Sequence, residues 1–281
     1  MSELRLTGLA HAYALKTVLE DIDLVLPAGR ILALVGPSGC GKTTLLHLAA
    51  GLLTVQTGEL RNGFGRPAAI FQQPRLLPWK TTRDNIALGL KAAGLPRAAY
   101  RRRADAIGRA VGLDGDALDQ FPHQLSGGMQ SRAALARALV LEPDLLLMDE
   151  PFSALDIGLK AQLYRLLLDH QAARGVAVLM ITHDLMEAVR LADSLLVMAP
   201  DPGRIVHRFD LGTPAAARDD DFVHRTTAEF LRHGDVRASF GLAPRVSPAA
   251  TACPREIGTK VGAGGTAQVL PMPAGRKGLA C

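Results

Sequence analysis

A glycine-rich loop at residues 36–44 constrains the fold of this 281-residue chain more than any other feature. The loop reads GPSGCGKTT, follows the apolar segment ILALV and precedes LLHLAAGLL. A buried strand, a tight loop and a helix are therefore expected in this order, which is the setting of a phosphate-binding loop. Glycines allow consecutive backbone N–H groups to face one anion, and the following helix directs its positive end toward the same point.

The loop supplies the predicted nucleotide-binding residues. Lys42 adds a mobile positive charge, and the hydroxyl group of Thr43 is a suitable ligand for Mg²⁺. Cys40 is interpreted as a permissive loop position and not as a reactive thiol. The predicted set comprises Gly36, Pro37, Ser38, Gly39, Cys40, Gly41, Lys42, Thr43 and Thr44.

Two adjacent carboxylates follow a second apolar run, in LLLMDEP at residues 145–151. Asp149 ends the predicted strand and is suited to contact the metal ion through a water molecule. Glu150 is directed differently because side chains alternate along a strand. We therefore predict that Glu150 orients and deprotonates an attacking water molecule as a general base.

Alternation of short apolar runs with helical stretches indicates an α/β fold. The pattern favours a mostly parallel sheet with helices on both faces. Near the N-terminus, LRLTGLAHAY and LEDIDLVLPAGR instead predict antiparallel strands with a turn at residues 27–29. The predicted buried strands are ILALV (31–35), AAIF (68–71), LLLMD (145–149), VAVLMIT (176–182) and SLLVM (194–198).

Two further segments differ in character from this core. Residues 74–141 lack strand signals and have helical periodicity, which predicts a helical subdomain inserted into the α/β core. Residues 241–281 are rich in Pro, Gly and Ala without periodicity, and we expect them to form a disordered tail.

Composition excludes several classes of protein. The net charge is +5, and residues 244–281 hold five basic residues against one acidic residue, so the basic character belongs mostly to the tail. With 4% aromatic residues, a single-stranded nucleic-acid binder built on stacking is not expected. The three cysteines have neither metal-ligand nor disulfide spacing, which favours a reducing compartment. Neither a signal-peptide core nor a membrane-spanning run is present, so any role in a membrane process is expected to be peripheral.

A pair of glycines stands at the start of another helical pattern, in LSGGMQSR at residues 125–132. Ser126, Gly127 and Gly128 offer a hydroxyl group and bare N–H groups at a helix N-terminus, which is a second possible anion site. One chain needs no second cradle for its own nucleotide. We therefore expect this segment to serve the nucleotide of a neighbouring subunit, with an ordinary helix cap as the alternative.

Five motifs in one order resemble the ATP-binding subunit of ABC transporters over residues 3–215. After the phosphate loop they are FQQ (71–73), LSGGMQ (125–130), LLLMDE (145–150), SALD (153–156) and THD (182–184). The resemblance implies a P-loop NTPase (RecA-like) core with an N-terminal antiparallel β subdomain, in an ATP-binding domain over residues 3–240. It also implies hydrolysis of ATP with Mg²⁺ by a head-to-tail homodimer.

Residue roles follow from the same resemblance. Gln72 and His183 join Glu150 as catalytic residues, with Gln72 also at the metal and His183 at the γ-phosphate. Ser126, Gly127 and Gly128 contact the partner's nucleotide, and Asp156 reaches across the dimer. Tyr13 matches the residue that stacks on adenine, although a tyrosine in a strand also commonly serves packing.

The segment LLPW resembles the nitrate/sulfonate/taurine importer group and is predicted to dock on a membrane permease. Leu77, Pro78 and Trp79 would form this contact, with an exposed Trp as anchor. The alternative is a Trp in the core of the helical subdomain. Gln73 departs from the group, in which this position is often acidic.

Three functions compete: an importer ATPase, a soluble ABC ATPase in DNA repair or translation, and half of an exporter. The second class carries coiled-coil insertions or two cassettes, and the third carries fused transmembrane helices, neither of which the sequence contains. The expected partners are a second copy, a permease and, indirectly, a substrate-binding protein, without nucleic acid. The expected location is the cytoplasmic face of a bacterial inner membrane. Sulfonate, taurine, nitrate and a pyrimidine thiamine precursor remain open as substrates.

Overall fold

The computed structural model describes residues 2–243 of the chain. Most of the predicted tail at residues 241–281 therefore lies outside the described residues. Within the described part, no helix combines the length and apolar character needed to cross a membrane.

An antiparallel sheet of three strands contains the N-terminal segment. Strand β1 (Glu3–Tyr13) pairs with β2 (Lys16–Pro27) on one side and with β4 (Thr57–Asn62) on the other. The turn that joins β1 to β2 lies at residues 14–15, where Ala14 has a φ of 52°. The turn expected at residues 27–29 exists, but it leads from β2 into the second sheet, because Ile31 begins a buried strand.

The larger sheet has six strands in the order β5-β6-β7-β3-β8-β9. The first five strands of that order are parallel, and β9 is antiparallel to β8. The mostly parallel sheet predicted from the sequence is thus confirmed. The strands are β3 (Ile31–Val35), β5 (Pro67–Ile70), β6 (Leu145–Asp149), β7 (Ala177–Thr182), β8 (Ser194–Ala199) and β9 (Arg204–Asp210).

Ten α-helices surround the two sheets in the part of the chain that is described. Five of them lie between β5 and β6, and no strand is formed in residues 71–144. The helices are α1 (Lys42–Ala49), α2 (Thr82–Ile86), α3 (Leu88–Ala92), α4 (Arg97–Ala110), α5 (Gly115–Asp119), α6 (Gly127–Leu139), α7 (Ile157–Arg174), α8 (Leu185–Leu191), α9 (Asp220–Phe230) and α10 (Gly234–Ser239).

The central strands β3, β6 and β7 of the larger sheet are buried on both faces, and each face belongs to a separate apolar core. Leu32 and Leu34 of β3 pack with the antiparallel sheet and α1, whereas Ile31 and Val35 pack with the helices on the opposite face. This explains why β3, β6 and β7 are continuous apolar runs, since strands covered on both sides have no polar face.

Parallel order brings the loops that follow β3, β6 and β7 to the same edge of the sheet. The glycine-rich loop follows β3, the carboxylates of LLLMDE end β6, and His183 follows β7. Because the carboxyl ends of parallel strands meet at one edge, residues far apart in sequence converge there.

Candidate active site

The glycine-rich loop curls around the side chain of Lys42. The Lys42 ammonium group donates to the carbonyl oxygens of Gly36 and Pro37, both at 2.8 Å, and is only 7% exposed. Gly41 has a φ of 94°, and a Cβ atom there would lie 2.6 Å from Leu19 Cδ2. The loop therefore requires glycine at this position for both conformation and space.

Helix α1 and strand β6 meet through a hydroxyl–carboxylate contact. Thr43 Oγ1, in the first turn of α1, donates to Asp149 Oδ2 at 2.9 Å. Burial raises the pKa of Asp149, while the hydrogen bond from Thr43 lowers it. A hydroxyl and a carboxylate oxygen at the foot of a phosphate loop are hard ligands suited to Mg²⁺, which takes few protein ligands and keeps its waters. Among the described residues, no group of three or more His, Cys, Asp or Glu forms a closed metal cage.

Glu150 joins the other two predicted catalytic residues. Its carboxylate accepts from Gln72 Nε2 at 3.2 Å and lies 3.0 Å from His183 Nδ1. Its backbone N–H donates to the carbonyl of Ile181 at 2.9 Å, although its φ of 47° is unusual for a residue other than glycine. The two adjacent carboxylates have different partners, since Asp149 accepts from Thr43 whereas Glu150 accepts from Gln72 and lies beside His183.

A cleft of about 260 Å³ lies between these groups. The structure thus brings together the phosphate loop, the carboxylate pair and Gln72, and it adds Val18, which no sequence motif identifies. The lining residues are Val18, Ser38, Gly39, Gly41, Lys42, Thr43, Thr44, Gln72, Asp149 and Glu150.

The residues predicted to contact a partner's nucleotide do not line this cleft. Ser126 Oγ accepts from Met129 N at 3.3 Å, and Asp156 Oδ1 accepts from Leu159 N at 2.9 Å, so each caps its own helix. Ser126, Gly127 and Asp156 are exposed, and Gly128 is half-buried. Each helix start thus lies on the surface, with one of its backbone N–H groups satisfied by its own capping residue.

Tyr13 also lies outside the cleft lining, at the exposed end of β1. Its ring contacts the edge of the His11 ring, with centroids 4.9 Å apart. Both ring nitrogens of His11 are buried without a hydrogen-bond partner in the described residues. The stacking role of Tyr13 stays a prediction.

Comparison with known proteins gives the family. The ABC transporter family matches residues 19–153. The aliphatic sulfonates import ATP-binding protein of Mycobacterium avium (strain 104) is 45% identical over 227 residues, which are 80% of this chain and 89% of that protein. The chain belongs to the ABC transporter family, among its ATP-binding subunits. The taurine import ATP-binding protein of Escherichia coli O6:K15:H31 (strain 536 / UPEC) is 43% identical over 215 residues, 74% of this chain and 84% of that protein.

Solved structures of ABC cassettes share the fold. A bacterial ABC transporter cassette in dimeric form has a TM-score of 0.70 and 26% identity, covering 75% of this chain and all of that cassette. A dimeric post-hydrolysis state of the cassette, bound to ADP and phosphate, has a TM-score of 0.69 and 25% identity over the same shares of the two chains. The predicted fold class is confirmed.

In this ABC subunit the predicted permease-docking loop is displayed on the surface. Trp79 is 69% exposed, which rules out the alternative of a core tryptophan, while Pro78 is exposed and Leu77 is half-buried. Asn85 holds the loop from inside: its Oδ1 accepts from Leu77 N at 2.7 Å, and its Nδ2 donates to the carbonyls of Leu77, Lys80 and Thr81, each at 3.1 Å. A fully buried amide with all these partners fixes the loop and leaves the Trp79 ring outside.

Sequence reasoning missed several polar residues that support the site of the ABC subunit. Arg137 of α6 donates to the carbonyls of Pro74 at 2.7 Å and Arg75 at 2.8 Å, and so ties the LSGGMQ helix to the segment after Gln72. Glu187 is buried at the start of α8, in the apolar stretch LMEAVRLA. A lone acid on an apolar helix face was the available signal, since such a residue needs partners when buried.

Proposed function

We propose that this chain is the ATP-hydrolysing subunit that powers import of a small anionic solute of the nitrate/sulfonate/taurine type through a partner membrane permease. The observation that carries the proposal is the contact of Gln72, Glu150 and His183 at the edge of a phosphate-loop cleft. We expect the γ-phosphate of bound ATP to end beside this carboxylate and its two polar neighbours. The relatives named for import of aliphatic sulfonates and of taurine support the solute class.

Glu150 would receive the proton of the attacking water molecule on its carboxylate. Gln72 Nε2 and His183 Nδ1, at 3.2 and 3.0 Å from that carboxylate, restrict its orientation and hold it at the open side of the cleft. Lys42 and the N–H groups of the glycine-rich loop would hold the β- and γ-phosphates. The chemistry is mainly positioning and charge stabilisation, as expected for phosphoryl transfer.

Mg²⁺ fits the foot of the cleft, where Thr43 and Gln72 would hold it and Asp149 would accept from its bound water. The ion would neutralise charge that develops on the phosphate oxygens. Thr43 Oγ1 and Asp149 Oδ2 lie 2.9 Å apart, so the hydroxyl that would bind the ion and the carboxylate that would accept from its water are already neighbours.

A second copy of the chain would complete the site. Ser126, Gly127 and Gly128 do not line the cleft of their own chain, and a head-to-tail pairing would put them, with Asp156, on the partner's nucleotide. The dimeric form of a related cassette supports this arrangement. The loop with Leu77, Pro78 and Trp79 would bind the permease at the cytoplasmic face of the inner membrane, and a substrate-binding protein would deliver the solute to that permease.

Sedimentation with different nucleotides tests the proposal. The Glu150→Gln chain should form a dimer with ATP and Mg²⁺ but not with ADP, because only ATP carries the γ-phosphate shared by the two subunits. Lys42→Ala in the same background is the control and should stay monomeric with either nucleotide. A Glu150→Gln chain that remains monomeric with ATP, even beside its permease, would contradict the shared site.

A further inference from the structure

A buried hydrogen-bonded trio lies behind the Glu150–His183 pair. Tyr164 of α7 donates its hydroxyl to Glu187 Oε1 at 3.0 Å, and Thr182 Oγ1 donates to Glu187 Oε2 at 2.6 Å. Glu187 is only 5% exposed, and Thr182 is the last residue of β7. The trio does not line the cleft, so nucleotide binding does not explain it.

The trio closes a ring of contacts around the reacting carboxylate. The Tyr164 ring packs edge-on against Phe152, with centroids 5.0 Å apart, and Phe152 is two residues beyond Glu150. On the other side, Thr182 directly precedes His183, and Thr182 Oγ1 accepts from the N–H of the next residue, Asp184, at 3.1 Å.

A ring of links therefore starts at Glu150 and follows the backbone to Phe152, continues through contacts of Tyr164, Glu187 and Thr182, and follows the backbone to His183, which lies 3.0 Å from Glu150 and closes the ring. His183 itself is exposed, and the described residues contact its ring nitrogens only through Glu150. The position of the His183 backbone is consequently set by its two neighbours, Thr182, which donates to Glu187, and Asp184, whose N–H donates to Thr182.

Burial of the Glu187 carboxylate costs free energy, because the charged group loses contact with water. Burial raises the pKa of Glu187, and the hydrogen bonds from Thr182 and Tyr164 lower it only in part. Both donors are neutral hydroxyl groups. Among charged groups, Lys160 lowers the pKa of Glu187 and Asp184 raises it. Apolar side chains of similar volume would stabilise a core as well as this buried carboxylate does. The two directional hydrogen bonds to Glu187 therefore indicate that it fixes the positions of the neighbouring elements.

We propose that Glu187 and Tyr164 are positioning residues that hold Glu150 and His183 in the arrangement required for ATP hydrolysis. This inference rests on the proposed function. Glu187 accepts two hydrogen bonds at once and so sets the spacing between α7 and the end of β7. Neither side chain touches the nucleotide, and both act through the residues that they hold.

Steady-state ATPase assays on Glu187→Gln and Tyr164→Phe, with nucleotide affinity and melting measured separately, test the inference. We expect Glu187→Gln to lower kcat by about 10-fold or more, since small displacements of a reacting group have large kinetic effects. Tyr164→Phe, which removes one hydrogen bond, should lower kcat by about 3-fold or more. Affinity for the fluorescent ATP analogue used as probe should change by less than about 2-fold, because neither residue lines the cleft.

Matched controls separate position from folding. Tyr100→Phe removes a hydroxyl from a tyrosine that packs under Lys91, and Glu142→Gln removes a surface carboxylate that pairs with Arg174; both should keep native kcat. Glu187→Gln should melt no lower than the native chain at neutral pH, because an amide has no charge to bury.

Undiminished kcat in Glu187→Gln would overturn the inference. So would a loss of kcat that follows a fall in melting temperature and is restored by cooling the assay, since that pattern belongs to a merely structural residue. A native chain that hydrolyses no ATP would overturn the proposed function together with the inference, whereas native activity with an active Glu187→Gln variant overturns the inference alone.

Discussion

The cleft and the exposed starts of helices α6 and α7 use their polar groups in different ways. In the cleft, functional side chains from separate elements contact one another: Thr43 contacts Asp149, and Glu150 contacts both Gln72 and His183. At the two helix starts, Ser126 and Asp156 contact only N–H groups of their own helices.

This difference indicates which part of the site one chain can complete. The side chains of the cleft contact one another within one chain, so this part of the proposed site needs no second copy. The starts of α6 and α7 do not line this cleft, and a helix N-terminus on the surface is suited to an anion brought by another molecule. Substitutions in the cleft, in the docking loop and at a helix start test this division.

Glu150→Gln should lower ATP hydrolysis by at least about 10²-fold and leave ATP affinity unchanged, because the amide cannot accept the proton of the attacking water. Turnover and nucleotide affinity are measured separately. Glu142→Gln is the matched control, since Glu142 also has a positive φ, at 51° against 47° for Glu150, but lies away from the cleft. Near-native turnover in Glu150→Gln would remove this residue from the catalytic role.

Trp79→Ala should weaken permease binding by about 1–3 kcal/mol, as expected for an aromatic anchor. Because the side chain is mostly exposed, the melting temperature and the ATPase activity of the free subunit should stay unchanged. Leu52→Ala, which truncates another exposed apolar side chain, is the control in the same pull-down. If Trp79→Ala binds permease as tightly as the native chain, the loop is not the docking surface.

Gly127→Ala should lower ATPase activity by about 10-fold while ATP affinity of the single chain and its stability are kept. Apart from its chain neighbours and the backbone of its own helix, a Cβ atom at Gly127 would meet no atom of the described residues within 4 Å, so a loss of activity without a loss of stability would point to contact with a nucleotide or another chain. Gly115→Ala is the matched control, because Gly115 also begins a helix and has the same free space. Equal activity of the two variants would break the comparison drawn above.

The smallest effect concerns pH and stability. Burial raises the pKa of Glu187, so the folded chain binds the carboxyl proton of Glu187 more tightly than the unfolded chain does. The folded chain therefore loses stability as pH rises through the folded-state pKa of Glu187. The pKa of Glu142 is lowered by the hydrogen bond from Arg174, so its contribution is present at neutral pH and is lost as pH falls.

Denaturant unfolding from pH 4 to pH 8 compares the two carboxylates. Relative to the native chain, Glu187→Gln should gain stability as pH rises from 4 to 8. Over the same range Glu142→Gln should lose stability relative to the native chain, and the loss should be small because the Glu142–Arg174 ion pair is exposed. Parallel pH profiles for both variants would show that burial of Glu187 has no energetic consequence.

The sequence predicted the buried strands well and the exposed ones poorly. ILALV and LLLMD match β3 and β6 residue for residue, because both are apolar runs between clear breakers. Strands β4 and β9, with sequences TGELRN and RIVHRFD, were not predicted. Both are edge strands with many charged and exposed residues, so their hydrogen-bonded partners and not their own apolar content hold them in place.

The residues of the site also divide into those that local sequence predicts and those that it does not. The phosphate loop and the carboxylate pair follow from local sequence, since a strand end or a helix start largely sets their geometry. Glu187, Tyr164 and Asn85 could not be assigned, because their importance depends on partners that only the fold brings near. Contacts between chains, such as those of Gly127, stay predictions, because the fold of one chain does not contain them.

The loop held by Asn85 has a practical consequence for optical measurements. Trp79 is the only tryptophan in the chain, and it is the exposed residue of the proposed docking loop. Its intrinsic emission therefore arises from a single known point and needs no attached dye. Burial of this indole against another protein would shift the emission to shorter wavelength and shield it from aqueous quenchers. Docking of the unmodified protein could therefore be followed by the emission wavelength and the quenching of Trp79.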